Sequence, residues 1–203
     1  MLDNVFWLGH AGVLIDASKR VYVDPYQIAC DDPADVILVT HEHYDHFSPA
    51  DIKKISGDRT ILVKPGPKGD NLGVEQRTIS PGQTFDLEGI SIKAVPSYNP
   101  EKQYHPRDSH YVGYVFKVDG VVYYHAGDTD LIPEMEHIQC DVAFLPIGGT
   151  YTMDAMEAVK AADLIRPRVV IPIHWGSLVG SYRDAETFSK LCSCDVHILE
   201  RLS

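Results

Sequence analysis

The sequence predicts an α/β protein: an αβ/βα four-layer sandwich of two mixed β-sheets packed together, with helices outside. Three observations carry this expectation. Short segments rich in Val, Ile and aromatics dominate the start of the chain. Strand-like and helix-like segments alternate later. Both halves show the same order, antiparallel strands first and strand–helix alternation after, without an exact sequence repeat. A chain of 203 residues suits one domain, taken as residues 1–203. Its 44% hydrophobic content supplies a core without disulfide staples.

The elements follow in order. "NVFWLG", "GVLIDA" and "RVYVDP" read as short strands separated by Gly, Ser and Lys. "ADVILVT" is a near-continuous apolar run, as expected of a strand buried on both faces. In "FSPADIKKIS", Ser48 is placed to cap a helix, Pro49 occupies its first turn, and Ala50, Ile52 and Ile55 share a face. "TILVKPG" is a strand, and residues 64–76, rich in Gly, Pro and Lys, read as loop. "QTFDLEGISIKAVPS" reads as two strands joined at Glu88-Gly89. Residues 97–110 form a long polar loop of the kind that is often functional. "YVGYVFKVDGVVYYHAGDT" is a hairpin turning at Asp119-Gly120. Strand "DVAFLPIGG", a helix over 153–165, strand "RVVIPIH", helix "DAETFSKL" and strand "DVHILE" complete the chain.

Composition narrows the function. The net charge of −11 repels phosphate backbones, so nucleic acid is not the expected partner. Cys30, Cys140, Cys192 and Cys194 form no CxxC pair and read as reduced thiols in a cytoplasmic protein. "MLDNVFWLGH" lacks a basic region followed by a long apolar stretch, so no signal peptide is expected. No apolar run reaches the length of a membrane span.

The densest chemistry lies in "LVTHEHYDHFSPAD". His41, His43, Asp45 and His46 fall within six positions, in a chain with 10 histidines. His41 and His43 point to the same side of an extended segment. In a tight turn after a buried strand, all four side chains could converge. Imidazoles and a carboxylate suit Zn²⁺ and other first-row ions, although a polar surface cluster would look the same in isolation.

The pattern H-x-H-x-D-H, followed by "HAGDT" at 125–129 and "IPIHW" at 171–175, resembles the metallo-β-lactamase superfamily of hydrolases. The opening "WLGHAGVLID…VYVDPY" is similar to the branch containing ascorbate phosphate lactonases and the phospholipase D that releases N-acylethanolamines. The resemblance implies the metallo-β-lactamase fold and a dinuclear metal site. His41 and His43 would serve the first metal; Asp45, His46 and His174 would serve the second; Asp128 would bridge both. Taken alone, Asp128 could equally be turn chemistry and His174 a satisfied strand-end histidine. The third histidine expected for the first metal is missing from "AVPSYNP". His105 and His110 are the nearby candidates. The pattern P-x-Y-N, then H-P, then G-Y, similar to that of small hydrolases of the superfamily, points to His105. The alternative is a substrate-facing or surface role for His105.

Several other residues carry a functional reading beside a plain one. His10 reads as floor of the site, and Asp24 either orients a ligand imidazole or forms the turn before Pro25. His125 reads as packing or support, while His137 and His197 read as structural. Tyr98, Asn99, Tyr151 and Trp175 are placed to shape a pocket. "GGTYTMD" could offer backbone N–H groups to an anion.

The resemblance implies a metal-dependent hydrolase that cleaves a small ester, lactone or phosphodiester with a metal-bound hydroxide. Two ions ~3.5–4 Å apart can deprotonate a bridging water near neutral pH. Asp45 would act as catalytic residue by orienting that nucleophile. No Gly-x-Ser-x-Gly elbow occurs, which argues against a serine nucleophile. The chain also lacks the Thr-Pro-Gly-His stretch of glyoxalase-type thioesterases, and His43 stands where flavin-linked di-iron oxygen reductases of this fold carry Glu. Zn²⁺ is the first expectation for the metal, with Mn²⁺ or Fe compatible with nitrogen and oxygen donors. The partner is a small-molecule substrate, and the motifs do not encode an oligomeric state. The competing reading is a non-catalytic metal-binding sensor or scaffold, which would show a closed site with no open metal position.

Overall fold

A computed structural model describes residues 2–67, 69, 71–87 and 89–203 of the chain. Two mixed sheets form the frame. The first has six strands in sequential order: β1 (Val5–Gly9), β2 (Gly12–Asp16), β3 (Arg20–Val23), β4 (Val36–Leu38), β5 (Ile61–Lys64) and β6 (Glu75–Thr78). The second has seven: β7 (Thr84–Leu87), β8 (Ile90–Pro96), β9 (Val112–Val118), β10 (Val121–His125), β11 (Val142–Pro146), β12 (Val169–Ile173) and β13 (Asp195–Val196). These lie in the order β13-β12-β11-β10-β9-β8-β7. The helices are α1 (Pro49–Lys54), α2 (Ala155–Ile165) and α3 (Tyr182–Leu191). The expected αβ/βα sandwich is the observed architecture.

Alternation along the strands builds the layers. Val13, Ile15, Val21, Val23, Val36 and Leu38 turn one way and join Ile92, Ala94, Tyr114 and Phe116 of the other sheet in a single core. Their neighbours Leu14, Tyr22 and Ile37 turn the other way and pack with Ile52 and Ile55, in and just after α1. The apolar run at β4 is therefore buried on both faces, as its composition demanded. Ser48 caps α1 by accepting from Asp51 N, with Pro49 in the first turn. On the second sheet α2 packs against β11, and α3 packs against α2. The Tyr114 hydroxyl of β9 donates to Val39 O at the end of β4 (2.7 Å), linking the two sheets beside the site.

The structure departs from the sequence expectations in three places, each for a local reason. Residues 75 and 76, the end of the segment expected as loop, instead begin β6. This strand is polar and pairs in parallel with β5 at the sheet edge, so no hydrophobic alternation marks it. The helix expected from Met153 begins at Ala155. Met153 N is held by Thr129 O, and Asp154 supplies the cap through a reciprocal capping box with Glu157. "DVHILE" pairs as a strand only at Asp195–Val196. The chain then crosses to the first sheet, where Leu202 N bonds Trp7 O and Arg201 Nε bonds Leu8 O. The β7–β8 turn holds Gly89 at φ +92°, and its partner Glu88 lies outside the described residues. No helix among the described residues is long and apolar enough to cross a membrane.

Strand direction explains why the chemistry gathers at one edge. In the first sheet β1, β3 and β4 run parallel to one another, because β2 is antiparallel to both of its neighbours. In the second sheet β8, β10 and β12 share one direction by the same reasoning. The C-terminal ends of these strands lead to His10, Asp24, the 41–46 turn, the 97–110 loop, Asp128 and His174. Such ends are where α/β layers place their sites.

Candidate metal centre

The 41–46 segment leaves β4 and folds into a turn, with His46 N and Phe47 N both bonding His43 O. Convergence therefore comes from the turn and not from an extended alternation. The ring centroids of His41 and His43 lie 4.6 Å apart, and those of His41 and His46 4.0 Å apart. His105 reaches them from the long loop. Its Nε2 is 3.2 Å from His43 Nδ1 and 3.5 Å from Asp128 Oδ2. Asp128 sits centrally: its Oδ1 is 3.2 Å from His46 Nε2, and its Oδ2 is 3.1 Å from His174 Nε2. His110, the other loop candidate, is exposed and ends the 3-10 turn Arg107–Ser109.

The donor atoms fall into overlapping sets whose members lie within 4.8 Å of one another: His41, His43 and His105; His41, His46 and Asp128; and His10, Asp45, His46 and His174. All seven residues expected from the sequence are brought together. Their free valences fit a cation. His41 Nε2, His46 Nε2, His174 Nε2 and Asp128 Oδ1 are buried and make no hydrogen bond. Imidazole nitrogens crowded round one carboxylate, closed to water and without a well-aligned hydrogen bond, are costly unless a metal takes the lone pairs.

The supporting residues set the tautomers. Asp24 is fully buried; its Oδ2 lies 2.7 Å from His46 Nδ1, while its oxygens accept from Thr40 N (2.8 Å) and Thr40 Oγ1 (2.6 Å). The turn alternative for Asp24 thus gives way to the orienting role. Asn99 Oδ1 lies 2.7 Å from His105 Nδ1 and leaves Nε2 to point inward. Sequence reasoning placed Asn99 in the pocket wall, whereas it buttresses His105. His10, expected at the floor of the site in support of its ligands, lies there: its Nε2 is 2.9 Å from Asp45 Oδ2. The signal for His10 was its position, one residue past β1, level with the end of β4.

Backbone geometry aims these groups. His10 (φ +51°), Asp24 (φ +46°) and His174 (φ +58°) all adopt the left-handed region just past a strand end. Non-glycine residues there are uncommon and concentrate at functional sites. His174 is seated tightly. A Cβ on Gly148 would come within 2.6 Å of His174 O and 3.0 Å of its Nδ1, so only glycine fits behind it. His174 N also bonds His10 O (2.8 Å), joining the ends of β12 and β1.

Electrostatics favour neutral His41 and His105 near an ionised Asp128, and a charged His46. Burial pushes His41 well below the usual histidine range and His105 down to about 4. For Asp128, burial opposes ionisation, but His174 and His46 outweigh it and hold the carboxyl well below the usual range. For His46, burial disfavours the proton, yet Asp128 and Asp24 together push it well above its usual value. Asp45 is also lowered: burial works against its charge, and its hydrogen bond to His10 prevails.

The cluster opens into a cleft of about 420 Å³ lined by His43, Tyr44, Asp45, Tyr104, His105, Asp128, Tyr151 and Leu178. Tyr151 is the only one of the four expected pocket residues in that lining. Tyr98 is buried, with its hydroxyl on Glu134, and Trp175 stacks on Trp7 at 4.7 Å. His125 supports the strand end: its Nε2 lies 2.8 Å from Ala11 O, and its Nδ1 accepts from Gly127 N. His137 and His197 are surface residues, with side chains 78% and 43% exposed. In the "GGTYTMD" loop, two of the N–H groups expected to face an anion are engaged within it: Gly149 N bonds Met153 O and Thr150 N bonds Gly148 O.

Comparison with known proteins places this arrangement. Residues 4–174 match the family described as the beta-lactamase superfamily domain. A UPF0173 metal-dependent hydrolase of Thermococcus onnurineus is 35% identical over 93% of this chain and 91% of its own length. Another from Methanoregula boonei is 36% identical over 91% and 87%. Among solved structures, a Parabacteroides distasonis protein described as a metal-dependent hydrolase superposes with a TM-score of 0.83. It shares 30% identity and covers 98% of this chain and 93% of its own. Igni18, a metallo hydrolase of Ignicoccus hospitalis, shares the fold with a TM-score of 0.79 at 24% identity, covering 98% and 95%.

Proposed function

The chain belongs to the metallo-β-lactamase superfamily, among its UPF0173 metal-dependent hydrolases, and on that premise we propose that it cleaves a small ester, lactone or phosphodiester at a dinuclear site. His41, His43 and His105 would hold the first ion and Asp45, His46 and His174 the second, with Asp128 serving both. The observation that carries the reading is the set of buried, unbonded donor atoms of His41, His46, His174 and Asp128 at the floor of an open cleft. A sensor or scaffold needs no such opening, so the cleft favours the enzyme.

Two divalent ions would supply Lewis-acid polarisation of the substrate oxygen and would acidify a water toward neutrality. The protein's own groups do the rest. Burial keeps His41 and His105 unprotonated and ready to donate lone pairs. Asp24 and Asn99 fix the rings of His46 and His105 through their Nδ1 atoms. Asp45 lines the cleft with its carboxylate anchored by His10; it orients the attacking water and receives its proton. The nitrogen and oxygen donor set favours Zn²⁺, with Mn²⁺ or Fe as variants. Both sheets contribute ligands, which supports reading residues 1–203 as one catalytic unit. Four free cysteines support a cytoplasmic setting, and the charge of −11 supports a small-molecule substrate over nucleic acid.

Metal removal tests this reading. Stripping with a chelator is expected to abolish turnover of nitrophenyl esters or bis-nitrophenyl phosphate, and reloading with Zn²⁺, Mn²⁺ or Fe²⁺ to restore it. Turnover that survives complete stripping would contradict a metal-dependent mechanism.

A further inference from the structure

The walls of the cleft differ from its floor. Of the seven large hydrophobic residues that the described structure leaves exposed, three rim this one opening: Tyr44 (67% exposed), Tyr104 (54%) and Leu178 (44%). The rings are braced. Tyr104 meets Tyr151 edge-on at 4.8 Å, and Tyr44 meets Tyr26 edge-on at 6.0 Å. Exposed apolar groups gathered at a concave site mark ligand contact far more than the same groups scattered singly.

No lysine or arginine is among the described residues lining the cleft. On the loop that carries His105, Lys102 is already engaged: its Nζ binds Asp130 Oδ1 at 2.5 Å and Thr152 O at 2.6 Å. Arg107 pairs with Glu134 and lies over the Tyr98 ring. In the neighbouring 148–154 loop, Gly149 N and Thr150 N are engaged within it and Asp154 N bonds Glu157. An anionic group on the substrate, away from the reacting centre, would meet no cationic side chain among the described lining residues, only tyrosine hydroxyls.

We infer that the substrate is a neutral carboxylic ester or lactone bearing an aromatic or branched apolar group, which packs between Tyr44, Tyr104, Tyr151 and Leu178 while its carbonyl lies over the histidine floor. This rests on the hydrolase reading of the same site and narrows it against substrates with anionic tails.

Two ketones that cannot be hydrolysed serve as probes on the metal-loaded protein: benzylacetone, neutral and aromatic, and levulinate, with an anionic tail. Binding is read by saturation-transfer NMR titration. Wild type is expected to bind benzylacetone about tenfold more tightly, the scale of burying one apolar group. Tyr104→Ala should weaken benzylacetone by about fivefold, and Leu178→Lys should narrow or reverse the preference. Equal or tighter binding of levulinate by wild type, or a preference unchanged in both variants, would overturn the inference. Neither probe is cleaved, so this result is independent of turnover. Failure of the hydrolase reading would appear separately, as nitrophenyl ester turnover indifferent to metal.

Discussion

Asp128→Ala is expected to lose metal binding and turnover together. Among the described residues Asp128 is the only carboxylate within 3.5 Å of His46, His105 and His174 at once, so its removal strips both proposed sites of their shared ligand. Loss of an outer-shell partner alone typically costs roughly 10–100-fold in affinity or activity; a bridging ligand should exceed that. The change also leaves buried imidazole nitrogens facing one another without the anion between them. The variant should fold, since the surrounding strands pack without this side chain, and circular dichroism would confirm it. Retention of both metal and activity in a folded Asp128→Ala protein would remove Asp128 from the centre of the account.

Asp24→Ala is the second large effect, and it acts without touching substrate. Asp24 serves three donors from a fully buried position: Thr40 N, Thr40 Oγ1 and His46 Nδ1. Removing it leaves Thr40 N without its acceptor and His46 Nδ1 without its close partner, at about 1–3 kcal/mol for each unsatisfied buried group, while Thr40 Oγ1 keeps His41 Nδ1 at 2.9 Å. Alanine is also poorly suited to the left-handed backbone at φ +46°. The expected outcome is a loss of several kcal/mol in urea unfolding and about a 10–100-fold loss in metal affinity. Asp24→Asn separates the two effects. Asparagine tolerates the backbone but has one acceptor oxygen in place of two, so it should recover stability more fully than metal affinity. Wild-type metal affinity in both variants would mean that His46 needs no orienting partner.

Much of the site was legible because its parts are local. Four of the seven proposed ligands sit in six consecutive positions after one apolar run, and Asp128 and His174 each follow a strand that reads clearly as one. His105 was harder. Nothing in a polar loop says which histidine turns inward; the structure decides it through Asn99, whose backbone N bonds His105 O at 2.7 Å and whose side chain holds His105 Nδ1. The placing of His10 beside Asp45 was illegible for a different reason. It depends on β1, β3 and β4 ending at one edge of the sheet, which is a property of strand pairing. The same limit explains β6. Its polar residues "EQRT" gain their strand conformation from β5, and an edge strand of this kind carries no apolar period of its own.

Two metal ions sharing this cluster, with His105 supplying the ligand missing from its usual place, would be visible in the metal content of the purified protein. Metal content by mass spectrometry, on protein purified without added metal, tests this most directly for wild type and His105→Ala. The account predicts about two equivalents per chain in wild type, falling toward one in His105→Ala. Two equivalents in both proteins would remove His105 from the site, and little metal in wild type even after reconstitution with Zn²⁺ or Mn²⁺ would contradict the metal centre itself.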